Sequence, residues 1–411
     1  MKGLKYNLSI PKFVFSQVYH KLNKGRFPAI FPNLKYYENL PEPQLNGENW
    51  VILKSVLSGI CGSDQNMLLG NESFSMEPYA SFPCVMGHEN VSIVVKCGSG
   101  VKSLKAGDKV IINPSMGCKV HDVETPCQEC SQGNDALCQF FGDEKKLGAG
   151  MSLGYHKATG GGWSDFYQAH KSQIYKINDQ IPNDRAVLAD PFSSIMQPIA
   201  EYAKGKKEKK KVFIYGAGTI GLLGVAAIRA LDLPWDIAVG YRYDFQGELA
   251  KDLGADHIVR TGKGLFEKVA TYTNGKVRKV SIGKPVLEGG FDTIFDCVGS
   301  PVTIDNSLRF SRNAGSVIMV ATGHNLAGVD ATPLWFREVK MQGTCMSRDV
   351  IDPRDGKKKA VYEIVAEVLE SLEIEKIVTH KFGLKDFKKA LRVSMDKKKE
   401  PVVKVVFDPS L

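Results

Sequence analysis

The stretch Gly59-Ile60-Cys61-Gly62-Ser63-Asp64 brings a thiol, a hydroxyl and a carboxylate together within four residues. Cys61 can offer a thiolate to Zn²⁺, Ser63 can pass a proton, and Asp64 can orient a histidine that binds the metal. Further along, Gly87-His88-Glu89 adds an imidazole and a carboxylate, and Ala189-Asp190-Pro191 places a carboxylate at the head of an apolar segment. Cys61, His88 and Asp190 make three ligands and leave a fourth position open, the layout of a catalytic rather than a structural zinc. A second cluster, Cys127-x2-Cys130-x7-Cys138 with Cys118 upstream, lies in a lobe over 117–141 that has almost no core former. Such a segment needs a staple, and structural Zn²⁺ supplies one. Cys118 is the preferred fourth ligand because soft thiolates suit a closed zinc site. His121 and Glu124 stay open as alternatives.

A third constellation points to a nucleotide. Lys211-Val-Phe-Ile-Tyr215 reads as a buried strand, Gly216-Ala-Gly218-Thr219-Ile220-Gly221 follows at once, and Leu222 to Leu231 continues as an apolar helix. Strand before and helix after is the context a G-x-G-x-x-G motif requires. Gly216 makes the tight turn, Gly218 admits the pyrophosphate to the backbone, and Gly221 packs helix on strand. The phosphates would sit at the helix N-terminus, with Thr219 and Ile220 in its first turn, where free N–H groups and the macrodipole favour anions. An NAD site places Asp or Glu about twenty residues on, to bind the ribose 2′-hydroxyl. That place falls at Tyr241 and Arg242, and Asp244 comes a little late. A guanidinium there can hold a 2′-phosphate, so NADP(H) is expected in preference to NAD(H).

GICGSD, GHE, a four-Cys lobe and a GxGxxG strand–helix, in that order, resemble the zinc-containing medium-chain dehydrogenase/reductase family of alcohol, polyol and threonine dehydrogenases. The resemblance covers nearly the whole chain and is least before Leu34. It implies a GroES-like, partly closed β-barrel catalytic domain over 1–200 and 345–411, and a Rossmann doubly wound parallel sheet over 201–344. It implies a zinc-dependent dehydrogenase that passes hydride between a secondary alcohol, or its carbonyl, and a nicotinamide cofactor. Ser63 matches the family's proton-relaying hydroxyl, Asp64 the carboxylate behind the ligating histidine, and Glu89 a conditional zinc ligand. Two positions depart from the pattern. Asn66 stands where many relatives continue the relay through histidine, and Glu124 stands where the lobe usually has its first thiolate. The family also implies a homodimer or homotetramer. A zinc-free alkene or quinone reductase of the same fold, and a non-enzymatic binding protein, are the competing classes. Phe140, Trp163 and Trp335 are candidate walls of a substrate pocket.

The elements that must position these residues follow from pattern. The chain has 411 residues, enough for two domains, and its 43% apolar and 24% charged content is that of a globular protein. Short strands at Leu34–Tyr37, Asn49–Leu57, Val91–Val95 and Lys109–Asn113, with Gly, Pro and Asn turns between them, predict a partly closed barrel. Strand–helix alternation from Lys211 to Gly343 predicts the parallel sheet. Residues 357–372 and 384–395 predict helices, and Val402–Phe407 a last strand. Residues 11–32 read as an insertion or a short amphipathic helix without an assigned role. No run of eighteen apolar residues occurs, so no membrane span is expected, and no membrane partner. The N-terminus lacks an apolar signal core, which places the protein in the cytoplasm. There the remaining cysteines, Cys84, Cys97, Cys297 and Cys345, read as small buried residues. The net charge of +9 comes largely from lysine runs at 205–211, 357–359 and 397–399, read as solvated loops or as a field for anionic ligands. No basic stripe interleaved with aromatics is present, so nucleic acid is not expected as a partner.

Overall fold

The computed structural model describes residues 1–23, 28–143, 147–204, 208–323, 325–345, 348–397 and 400–411. Parts of the lysine runs at 205–211 and 397–399 lie outside the described residues. The chain forms two compact units. One comprises Met1–Ser193 and Ala360–Leu411 with a short segment ending at Asp349; the other comprises Ser194–Cys345 and Val350–Lys359.

The first unit is built around the strand Trp50–Gly59, ten residues whose apolar side chains are buried along most of its length. One edge pairs antiparallel with Asn90–Cys97, with register shifts at Ile52/Leu53 and Ser55/Leu57. Such bulges bend and twist a sheet, as closing a barrel requires. The other edge is shared. Phe166–His170 pairs with its first half, Trp50 opposite His170, and Lys404–Phe407 pairs with its end, Val406 opposite Gly59. The sheet continues through Lys109–Ile112 to Ile174–Lys176 on one side and to Val378–Phe382 on the other. The C-terminal strand thus returns to the strand that precedes Cys61.

The second unit carries a six-stranded parallel sheet. Its central strand Lys210–Tyr215 lies between Trp235–Tyr241 and Phe291–Asp296, and His257–Arg260, Ser311–Met319 and Lys340–Gly343 extend it. The central strand is buried over Val212–Tyr215, which reads as a continuous apolar run. The helix Thr219–Ala230 follows the central strand directly.

Two elements differ from the sequence reading. The helix expected over 357–372 is a short strand Lys358–Ala360 followed by a helix Val361–Val368, because a lysine run has no apolar face to bury. A hairpin, Lys276–Arg278 with Val286–Glu288, has one fully buried apolar side chain, Leu287, too little pattern to reveal it. For residues 11–32 the structure shows the helix alternative, a fourteen-residue helix that starts one residue earlier, Ile10–Asn23.

Candidate active site and zinc lobe

Cys61 stands at the N-cap of the helix Gly62–Leu69, just beyond the strand Trp50–Gly59. Asp64, in the first turn, reaches back so that its Oδ2 accepts from the Cys61 N–H at 2.9 Å. Its other oxygen accepts from the Tyr155 hydroxyl at 2.6 Å and faces His88 Nδ1 at 3.5 Å. One fully buried carboxylate therefore closes the helix start and stands beside the imidazole. Burial alone would lower the His88 pKa. The Asp64 charge and hydrogen bond outweigh it and hold the ring well above its ordinary value. Gly87 positions His88 from a backbone with φ of 102°, where a Cβ would stand 2.4 Å from the Trp163 ring.

Ser63 Oγ lies 3.0 Å from the Tyr155 hydroxyl. Since that hydroxyl already donates to Asp64, it accepts from Ser63, and the three groups form one directed chain. Burial, with the Asp64 charge added, pushes the Tyr155 phenol well above its ordinary pKa, so it stays protonated.

Cys61, His88 and Glu89 offer donor atoms that all lie within 4.8 Å of one another. Asp190, the third ligand expected from sequence, is not in this group. It stands in the first turn of the helix Ala189–Ala203, half-buried, and its Oδ1 accepts from the Tyr362 hydroxyl at 2.7 Å. Burial raises its pKa to about 6, against the opposing charge of His88. Glu89 is itself engaged. Its carboxylate pairs with Lys404 Nζ, both side chains at most 4% exposed, and the same ammonium donates to the Ile60 carbonyl at 3.0 Å. Gly59 makes room for this pair, because a Cβ there would sit 2.0 Å from Glu89 Oε2.

In the lobe, the sulfurs of Cys118, Cys127, Cys130 and Cys138 also lie within 4.8 Å of one another, and none is in a disulfide. Backbone N–H groups of Cys118, Cys127, Cys130 and Phe140 point at these sulfurs from 3.3 to 3.5 Å. Four thiols under N–H donors fit a tetrahedral Zn²⁺, which takes them as thiolates. Glu124 is exposed and outside the group. His121 is turned to the Gly150 carbonyl at 3.2 Å.

In the nucleotide unit, Gly216 has φ of 103°, Gly218 caps the helix, Thr219 and Ile220 open it, and a Cβ on Gly221 would overlap the Gly216 carbonyl. Tyr241 ends the second strand of the motif, and Arg242 is exposed just past it. Both oxygens of Asp244 accept from Arg260 Nη1, at 2.7 and 3.0 Å.

Several expectations are corrected. Trp163 is fully buried, its indole N–H donating to the Gly59 carbonyl at 3.0 Å, so it is core rather than pocket wall. Trp335 is 73% exposed. Phe140 packs against the cysteine cluster. Cys345 is exposed, and Cys97 and Cys297 are only half-buried; Cys84 alone of the four is buried. Sequence reasoning missed Tyr155, Tyr362 and Lys404. Only Lys404 left a signal, a lone cation inside Val402-Val-Lys-Val-Val-Phe407.

A family described as the alcohol dehydrogenase GroES-like domain matches residues 47–179, and one described as zinc-binding dehydrogenase matches residues 219–366. The chain is 28% identical to an L-idonate 5-dehydrogenase of Vitis vinifera, over 89% of this chain and 87% of that one. It is 25% identical to sorbitol dehydrogenase 2 of Saccharomyces cerevisiae, over 90% and 94%. Among solved structures, galactitol-1-phosphate dehydrogenase from Escherichia coli superposes with a TM-score of 0.71 at 19% identity, covering 100% of each chain.

Proposed function

Because this chain belongs to the zinc-containing medium-chain dehydrogenase/reductase family, as a zinc-type alcohol or polyol dehydrogenase, we propose a finer reading. It oxidises a secondary alcohol of a polyol or related small molecule, or reduces the matching carbonyl, with NADP(H) preferred over NAD(H). The observation that carries it is the convergence of Cys61, His88 and Glu89, framed by the Asp64–Tyr155–Ser63 chain. A zinc ion held by these donors would polarise an alcohol oxygen and lower its pKa.

The protein's own groups supply the rest. Cys61 and His88 are the fixed donors. Asp190 is proposed as the third, as the family resemblance implies, while Glu89, neutralised by a buried ammonium, serves as the conditional ligand. Tyr155, by accepting from Ser63, turns a lone pair of Ser63 Oγ outward to take the alcohol proton. The Asn66 position supplies no imidazole, so Tyr155 is the group next in line to Ser63. Gly216, Gly218, Thr219, Ile220 and Gly221 would hold the pyrophosphate, and Tyr241 and Arg242 the adenosine ribose. Cys118, Cys127, Cys130 and Cys138 would hold the structural zinc. A homo-oligomer of two or four chains in the cytoplasm completes the reading.

The test is zinc content per chain together with cofactor-dependent absorbance change over a panel of polyols, sugar alcohols, their phosphates and threonine. Two zinc ions and alcohol-dependent reduction of NADP⁺ are expected. Cys61→Ser should retain the fold and lose turnover. Glu89→Gln should keep the catalytic zinc and Asp190→Asn should lose it. Undiminished activity in Cys61→Ser would sink the zinc reading, and turnover only with activated alkenes would favour the reductase class.

A further inference from the structure

The helix Ile10–Asn23 is packed with its polar side inward. Phe13, Ser16 and Asn23 are buried, Gln17 Nε2 donates to the Gly70 carbonyl at 3.0 Å, and His20 Nδ1 meets the Leu69 carbonyl at 3.3 Å. His20 Nε2 accepts from the Ile30 N–H at 3.2 Å, so the ring bridges the helix to both neighbouring backbones. The opposite side carries Ile10, Val14, Phe15, Val18 and Leu22, each between 45% and 72% exposed. At 100° per residue these five fall within an arc of roughly 140°, diametrically across from the buried set. A surface helix in a globular protein shows the reverse arrangement, and an apolar stripe facing water marks a docking surface.

The charge of the segment identifies what docks. From Met1 to Tyr37 the chain has seven lysines and arginines and no aspartate or glutamate. Exposed Lys12 and Lys21 lie on the helix itself. A second copy of the chain on this face would set like charges together across a two-fold axis, which opposes association. An anionic bilayer surface accepts both features: apolar side chains enter the acyl boundary, and lysines reach the headgroups. We propose that the helix Ile10–Asn23 lies in the interface of an anionic lipid bilayer and holds the protein on the membrane surface. This goes beyond the dehydrogenase reading and replaces the expectation of no membrane partner, while no helix among the described residues is long and apolar enough to span.

The experiment is co-sedimentation of the full-length protein with vesicles of phosphatidylcholine alone and of phosphatidylcholine with phosphatidylglycerol. It is repeated for Val14→Glu/Val18→Glu and for Lys12→Gln/Lys21→Gln, with sedimentation velocity on each protein without lipid. The wild type should bind the anionic vesicles and release them at high salt. The glutamate pair should weaken binding about tenfold or more, and the glutamine pair by a smaller factor. Equal binding to both lipids, equal binding by the glutamate variant, or no binding at all would overturn the proposal. So would a wild-type oligomer that the glutamate pair dissociates, which would assign the face to a second copy.

Discussion

At the scale of single residues, the site depends on groups that touch the ligands rather than on the ligands alone. Tyr155 is the clearest case. Its hydroxyl donates to Asp64 and accepts from Ser63, so Tyr155→Phe frees an oxygen of a fully buried carboxylate and lets the Ser63 hydroxyl rotate. Losing such a support costs about 10–100-fold in activity or metal affinity. The expected outcome is a kcat lowered within that range with the zinc content of the lobe unchanged, checked by kinetics and metal analysis on one preparation. Lys404 makes a second case. Removing one member of a buried ion pair leaves the other uncompensated, so Lys404→Met should cost about 3–5 kcal/mol in stability. Adding Glu89→Gln should recover most of it, which denaturant melts of the two variants would show. The ligand types and spacings of Cys61, His88 and the four lobe cysteines were legible because metal chemistry restricts both. Tyr155 and Tyr362 were not, since a tyrosine far away in sequence carries no mark of the carboxylate it will meet. The Asp190 position was legible, but its engagement by Tyr362 was not.

At the scale of elements, the strand Trp50–Gly59 ends two residues before Cys61, and the C-terminal strand pairs with that end. Apolar runs and glycine turns revealed these strands one by one. Their pairing across more than three hundred residues is a tertiary fact, which came from family resemblance and not from periodicity. The lobe shows the opposite limit. Its own apolar core is small, consisting of the cysteines with Phe141 and a few half-buried neighbours. A zinc ion held there would therefore supply much of its folding free energy. Cys130→Ser should lower the melting temperature of the first unit and release one zinc per chain, and a chelator should do the same to the wild type more slowly. An unchanged melting temperature with full zinc occupancy would show that the lobe folds on side-chain packing.

At the scale of the whole molecule, two compact units mean that a nucleotide should act on the stability of one of them. A ligand that binds only the folded state stabilises it by RT ln(1 + [L]/Kd), about 2.7 kcal/mol at one hundred times Kd. The direction of cofactor preference can therefore be read from melting, without any substrate. The strand end after Tyr241 carries Arg242, exposed and beside the Tyr243 ring, and the neighbouring Asp244 carboxylate is engaged through both oxygens by Arg260 Nη1. On the proposed reading a 2′-phosphate would meet a guanidinium there and little repulsion, whereas a 2′-hydroxyl would lack its usual acceptor. At equal concentrations NADPH should raise the melting temperature of the nucleotide unit more than NADH does. Arg242→Ala should remove most of the NADPH increment and leave the NADH increment nearly unchanged. The kcat/KM ratio for the two cofactors should move in the same sense. A wild-type ratio favouring NAD⁺ about tenfold, or about 1.4 kcal/mol, and indifferent to Arg242→Ala would assign the ribose contact to another group.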